Sequence, residues 1–240
     1  MFRFLLSLGV GAALLASPAA QAATVIDSTD VGSSFTIDFT GQVNGAPAPQ
    51  LSALLNVVFN GTSNAGRTYL FSYSLTNDSS VSSKIRGFGF NVAGGDVTSA
   101  SSTGDYPGSK LDEMFPEGLH KRDVCFHAPN MGNGNGNSGC TGGNINSGLG
   151  MGQTGTGTFA LTFASPQAIP TSLYLDMFVV RYQAISPSLN GGDSGVGLGT
   201  PVPAVPEPST WLMFLLGFFL TGYALRHRRA AQREGEMALA

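Results

Sequence analysis

Charge is what this chain has least of. Asp, Glu, Lys and Arg make up 11% of its 240 residues, against about 25% in ordinary soluble proteins. A helical bundle carries Lys, Glu and Arg on its outer faces, so this composition excludes one. A basic stripe is also missing. From Ala23 to Pro206, seven cations stand against twelve carboxylates, a net charge of about −5, which excludes nucleic acid as a partner. There are two cysteines and no C-x-x-C pair, so the commonest zinc pattern is absent. No EF-hand loop and no Gly-Asp nonapeptide repeat offers a calcium site.

Gly, Ser, Thr and Asn take the place of charge, as suits a β-protein with many turns and neutral polar faces. Alternation at period two recurs along the chain. Phe35, Ile37 and Phe39 share one face of a first strand. Leu51 to Asn60 is a nearly continuous apolar run, expected to be buried on both faces. Tyr69, Phe71, Tyr73 and Leu75 alternate, and Asn77-Asp78-Ser79-Ser80 ends that strand. Phe88, Phe90 and Val92 line another, closed by Gly94-Gly95. Phe159, Leu161 and Phe163 form a further strand, and Leu173 to Tyr182 forms the longest. One short helical turn is expected within Asp112 to Lys121. Six to nine strands without an amphipathic helix predict an all-β fold, an antiparallel β-sandwich of jelly-roll or Ig-like type.

The two ends carry export chemistry. Met1-Phe2-Arg3 precedes an apolar run from Phe4 to about Ala16, broken by Ser17-Pro18. Ala20-Gln21-Ala22 places small residues where a signal peptidase inspects. This predicts a signal peptide over 1–22, cut after Ala22. At the other end, Thr200 to Pro208 (TPVPAVPEP) is an extended Pro-rich stretch. Trp211 to Leu225 is apolar, and Arg226, His227, Arg228 and Arg229 follow at once. A helix over 211–225 spans about 22 Å, short for a bilayer core of about 30 Å. Interfacial Trp211 and snorkelling arginines make up part of the gap. The basic cluster stays cytoplasmic, so the passenger faces outward. The expected organisation is a signal peptide (1–22), a β-sandwich passenger (23–188), a Gly/Pro-rich linker (189–205), a sorting segment (206–229) and a cytoplasmic tail (230–240).

Pro206-Glu207-Pro208, one apolar span and an Arg cluster (Arg226, Arg228, Arg229), in that order, resemble the tripartite sorting signal of the PEP-CTERM family. The resemblance implies recognition by an exosortase, an integral-membrane transpeptidase-like enzyme. It implies transient anchoring in the inner membrane with the passenger in the periplasm. Removal of the tag and delivery to the cell surface or extracellular matrix follow, in company with exopolysaccharide and biofilm systems. The tail Ala230 to Ala240 runs further past the Arg cluster than family tags usually do. Tyr69 to Val92 also looks like the aromatic strand, Thr-Asn turn and Gly-Phe-Gly-Phe strand of many such passengers.

After export, Cys125 and Cys140 sit in an oxidising space, and a disulfide between them is the expected state. Such a pair resembles the cistern subgroup of the same family. The competing set His120, Cys125, His127 and Cys140 has zinc-type ligands without zinc-type spacing. Gly192-Asp193-Ser194-Gly195 spells a serine-protease tetrapeptide, but the histidines His120 and His127 lack the matching context. Gly150 to Gly155 fits G-x-G-x-x-G, with a strand rather than a helix after it. Asp105, Asp112, Glu113, Glu117 and Asp123 are candidates for glycoside hydrolysis or calcium binding. Tyr106, Phe115 and Phe126 are candidate sugar-stacking rings. Asn60-Gly61-Thr62 and Asn77-Asp78-Ser79 match the glycosylation acceptor pattern and read equally as turns.

The expectation is therefore no catalytic set, no metal and no cofactor. The chain reads as a non-enzymatic, exosortase-sorted surface or matrix protein, structural or adhesive in an exopolysaccharide layer. The alternative is a carbohydrate-binding module for that polysaccharide, with or without Ca²⁺. Expected partners are signal peptidase and exosortase during export, the membrane through 211–225 before processing, and exopolysaccharide afterwards.

Overall fold

The alternating apolar residues build strands, as their period of two requires. The computed structural model describes residues 23–119, 121–129, 140, 147–164, 170–203 and 215–221. Its strands are β1 (Thr24–Asp27), β2 (Ser34–Val43), β3 (Ala46–Ser63), β4 (Thr68–Asn77), β5 (Ser82–Ala93) and β6 (Val97–Ser102). They continue with β7 (Gly108–Met114), β8 (Lys121–His127), β9 (Leu149–Gly150), β10 (Thr154–Phe163), β11 (Ser172–Ser186) and β12 (Gly195–Val202).

The strands form one antiparallel sheet in the order β6-β10-β4-β3-β2-β12-β11-β5-β8-β7, with β1 added to β11 and β9 to β5. β1 and β12 take successive stretches of β11. Ser172 to Leu175 pair with β1, and Val179 to Tyr182 pair with β12. Between them Met177 adopts a positive φ of 52°, where the strand bulges. The end strands β6 and β7 come back alongside each other, and the Ser109 hydroxyl donates to the Ala100 carbonyl at 2.7 Å. The sheet thus nearly closes into a flattened barrel, a sandwich-like all-β fold.

Its interior is aromatic. Phe159 on β10 meets Phe90 of β5 at 5.8 Å and Phe126 of β8 at 4.9 Å between ring centroids. These strands lie on opposite walls, so the rings fill the space between them. Tyrosines pin the walls through their hydroxyls, whose burial requires partners. The Tyr73 hydroxyl donates to the Thr103 carbonyl at 3.0 Å and accepts from the Tyr106 amide at 3.1 Å. The Tyr106 hydroxyl donates to the Ile85 carbonyl at 3.0 Å.

Burial pushes the Tyr106 and Tyr182 phenols well above the ordinary 10.0. A raised folded value makes their contribution fully present below the unfolded value, and it is lost as pH rises through the folded one. In urea unfolding these phenols should therefore add no pH dependence below about pH 9.5. Above it, stability should fall by up to about 1.4 kcal/mol per pH unit for each phenol. The Tyr182 hydroxyl stands near Ser79 without a well-formed hydrogen bond. Tyr182→Phe should leave neutral-pH stability unchanged or raise it by about 1 kcal/mol, while making the alkaline decline shallower. A loss at neutral pH would show that the hydroxyl has a partner.

Three expectations change. Leu51 to Asn60 is not buried on both faces; β3 alternates there, with Leu54 and Val58 half-buried on the outside. Among the described residues of Asp112 to Lys121 there is no helical turn; β7 runs to Met114, and a turn follows in which the Leu119 amide donates to the Pro116 carbonyl at 3.4 Å. The linker expected over 189–205 is mostly structured, because Gly195–Val202 forms β12 between β2 and β11. Its glycines answer to crowding: a Cβ on Gly197 would lie 2.7 Å from a Val180 methyl and 3.0 Å from the Tyr182 ring.

The chain divides after Val202. In the second unit residues 215–221 are helical, and the Thr221 hydroxyl donates to the Gly217 carbonyl at 2.7 Å. Among the described residues no helix is long and apolar enough to cross a membrane. The rest of 211–225, Pro206, Glu207, Pro208, Arg226, Arg228 and Arg229 lie outside the described residues, as do Ala20, Ala22 and His120.

Candidate functional site

β5 carries the Gly87-Phe88-Gly89-Phe90 alternation. Period two sends both rings into the barrel and leaves a glycine groove outside. The Cys125–Cys140 disulfide seats over that groove, with a Cα–Cα distance of 6.2 Å that suits the bond. A Cβ on Gly87 would lie 2.6 Å from the Phe126 carbonyl oxygen and 3.1 Å from Cys140 Sγ. On Gly89 it would lie 2.9 Å from the Phe115 ring. Phe115, Cys125, Cys140, Val179 and Val196 form a second buried apolar cluster here, with Leu119 against it. The expected disulfide is thus present, and it holds a small outer core.

Buried arginines surround this cap. The Arg86 guanidinium donates to the carbonyl and hydroxyl of Ser147. Arg122 Nε donates to the Met177 carbonyl at 2.7 Å, and Arg181 Nη1 to the Gly195 carbonyl at 3.0 Å. Burial lowers all three guanidinium pKa values; Glu117 and Asp193 offset this at Arg181, and Asp176 and Asp123 at Arg122. Arg86 thereby ties the loop at Ser147 to β5, while Arg122 links β8 to the bulge of β11 and Arg181 links β11 to the start of β12.

The central carboxylates do not gather into one site, although Asp112 and Asp123 line a cleft of about 290 Å³ together with Asp96. Asp105 accepts from the Thr156 amide at 2.8 Å, Glu117 from the Gly45 amide at 2.9 Å, and Asp123 from the Val92 amide at 2.8 Å. Asp112 faces Lys121 at 3.5 Å, and Glu113 faces Lys110 at 3.8 Å. Each anchors a different backbone segment or cation. Burial, then Asp123, raises the Asp176 carboxyl, while Arg122 lowers it. Among the described residues no three His, Cys, Asp or Glu side chains are grouped to hold a metal.

Other sequence candidates resolve into architecture. Tyr106, Phe115 and Phe126 are core rings rather than stacking platforms. Among the described barrel residues Tyr174 is the one exposed aromatic. Gly150 ends β9, and the turn after it leads into β10, a strand where a phosphate site would need a helix. The 192–195 tetrapeptide turns the chain into β12, with a bridge between Leu189 and Gly192. Asn77 is fully buried and donates to the Leu149 carbonyl at 3.1 Å, so it is no acceptor for a glycan.

Strand pairing exposes one feature that sequence reading missed. Side by side in the sheet, β6, β10, β4, β3, β2 and β12 carry a single charged residue, Asp38, whereas β11, β5, β8 and β7 each carry two or three. The signal lay in Thr154-Gly-Thr-Gly-Thr158, a period-two run of hydroxyls, but its neighbours appear only once the register is known.

Fold and termini together define a disulfide-capped all-β passenger followed by a short C-terminal tag. That tag is specific: residues 204–229 match the PEP-CTERM protein-sorting motif. The chain therefore carries a signal for export and sorting by an exosortase, spanning the positions Pro206 to Arg229 that the sequence singled out. No curated protein and no solved structure is significantly similar to the chain.

Proposed function

We propose that the chain crosses the inner membrane behind a signal peptide over 1–22 and is held there through 211–225. Exosortase processing near Pro206-Glu207-Pro208 then releases it to the surface. There it serves as a non-enzymatic structural or adhesive component of an exopolysaccharide layer. The observation that carries this reading is the sorting motif directly behind a disulfide-capped domain.

The test is the mature C-terminus, mapped by peptide mass in the native host with and without its exosortase. A new terminus near Pro206 to Ser209 that appears only with the enzyme is the expected result. Glu207→Ala should abolish it and retain the full-length form in the membrane fraction. An intact 211–229 in both strains would make the segment a plain anchor. A new amino terminus at Ala23 is expected in the same digest.

A further inference from the structure

The charge-poor wall is ordered as well as neutral. Its outward positions fall into rows across the strands. Thr156, Ser74, Asn56 and Thr36 lie directly opposite one another on β10, β4, β3 and β2. Thr158, Ser72, Val58 and Ser34 form the next row. Strand geometry spaces such groups about 4.8 Å across the sheet and about 6.7 Å along it. Cross-strand pairs hold the side chains in place: Thr76 with Thr154 at 2.8 Å, and Thr36 with Asn56 at 2.7 Å. A hydroxyl has one donor and two acceptor sites, so a single such bond leaves it able to bind outward.

Within this wall lies a shallow cleft of about 220 Å³. Leu70 and Ala160, opposite each other in register, form an apolar floor; Asn60, Ser102, Thr103 and Thr158 stand around it. Pockets that enclose a ligand run about 300–1,000 Å³, so this is a contact point for something passing across the face.

We propose that this wall is the contact surface for a neutral polysaccharide chain, lying over the β10–β4–β3 rows with one sugar seated in the cleft. A sugar ring offers apolar C–H faces and hydroxyl edges that both donate and accept. The floor and rim of the cleft match those two characters. The strands of the wall have no Lys or Arg to pair with uronate, sulfate or phosphate groups; Arg67, in the turn between β3 and β4, is engaged with the Phe163 and Ala164 carbonyls, and Asp38 repels anions. Without a stacking ring, each contact is weak, and retention comes from many copies on one polymer. The inference rests on the matrix reading above and names the partner chemistry of that role.

Full-length protein in detergent would be run by affinity electrophoresis through gels holding dextran, laminarin or hydroxyethylcellulose, with alginate as the anionic comparison. The expected result is retardation by at least one neutral polymer and none by alginate. Thr158→Arg should weaken that retardation at least about fivefold with an unchanged circular dichroism spectrum. Lys121→Ala, on the opposite wall, should leave it unchanged. Asn56→Lys, in the neighbouring row, serves if Thr158→Arg does not fold. Retardation by alginate alone, by no polymer, or undiminished in the folded variants would overturn the proposal. So would a Thr158→Arg effect confined to sedimentation, which would make the wall a contact between two copies of the chain. C-terminal maturation is read independently, so sorting can stand while this inference falls.

Discussion

Replacing Cys125 and Cys140 together by Ala should lower the unfolding free energy by about 3 kcal/mol. The bond joins residues 15 apart in sequence, and closing a loop of that length removes about 3 kcal/mol of entropy from the unfolded chain. The segment between the cysteines is rich in Gly and Asn, residues with much conformational freedom to lose. The folded state loses something as well, because both cysteines belong to the outer apolar cluster with Phe115, Val179 and Val196. Urea unfolding of the oxidised protein, the reduced protein and the double variant checks the expectation. Coincident midpoints for all three would show that the cap adds nothing to the barrel.

Gly197→Val should cost about as much, for a different reason. Adding even a Cβ at this position brings it 2.7 Å from a Val180 methyl, 3.0 Å from the Tyr182 ring and 3.2 Å from Phe39 Cβ. Those groups are buried and hemmed in by their own neighbours, so they have no low-energy way to retreat. Overpacking of this kind costs about 1–3 kcal/mol, and a branched side chain belongs at the upper end. Thr200→Val, on the exposed side of the same strand, should stay within about 0.5 kcal/mol of the parent. Thermal unfolding of the pair separates a packing demand from a general intolerance of β12 to change. Equal midpoints for both variants would mean that β12 is the pliable linker its composition suggests.

That contrast also explains where sequence reading succeeded. The aromatic strands were legible because one buried face imposes alternation: Tyr69, Phe71, Tyr73 and Leu75 all point inward along β4. β12 was misjudged because glycine has two meanings. Gly197 and Gly199 are small so that Phe39, Phe178 and Tyr182 fit, but in sequence they look like slack. β1, β6 and β7 are short or largely polar outer strands, so their residues carry little hydrophobic period to detect.

The rings gave the opposite error. Tyr106, Phe115 and Phe126 are sugar-stacking candidates by position alone, and the fold buries all three. The disulfide pairing was legible because only one pair exists, and the sorting motif because it is linear. The neutral wall was not, since Thr36, Asn56, Ser74 and Thr156 are far apart in the chain and meet only through the register of four strands.

The near closure of the sheet bears on how such a protein survives delivery. An open sheet ends in two rows of unpaired amides and carbonyls, each a template on which a second chain can grow. Here the two terminal strands, β6 and β7, face one another, with Ser109 reaching across to Ala100. The protein uses its own far end to blunt its near one. Short, largely polar end strands that face each other give a second copy less edge to pair with, even where many copies crowd together.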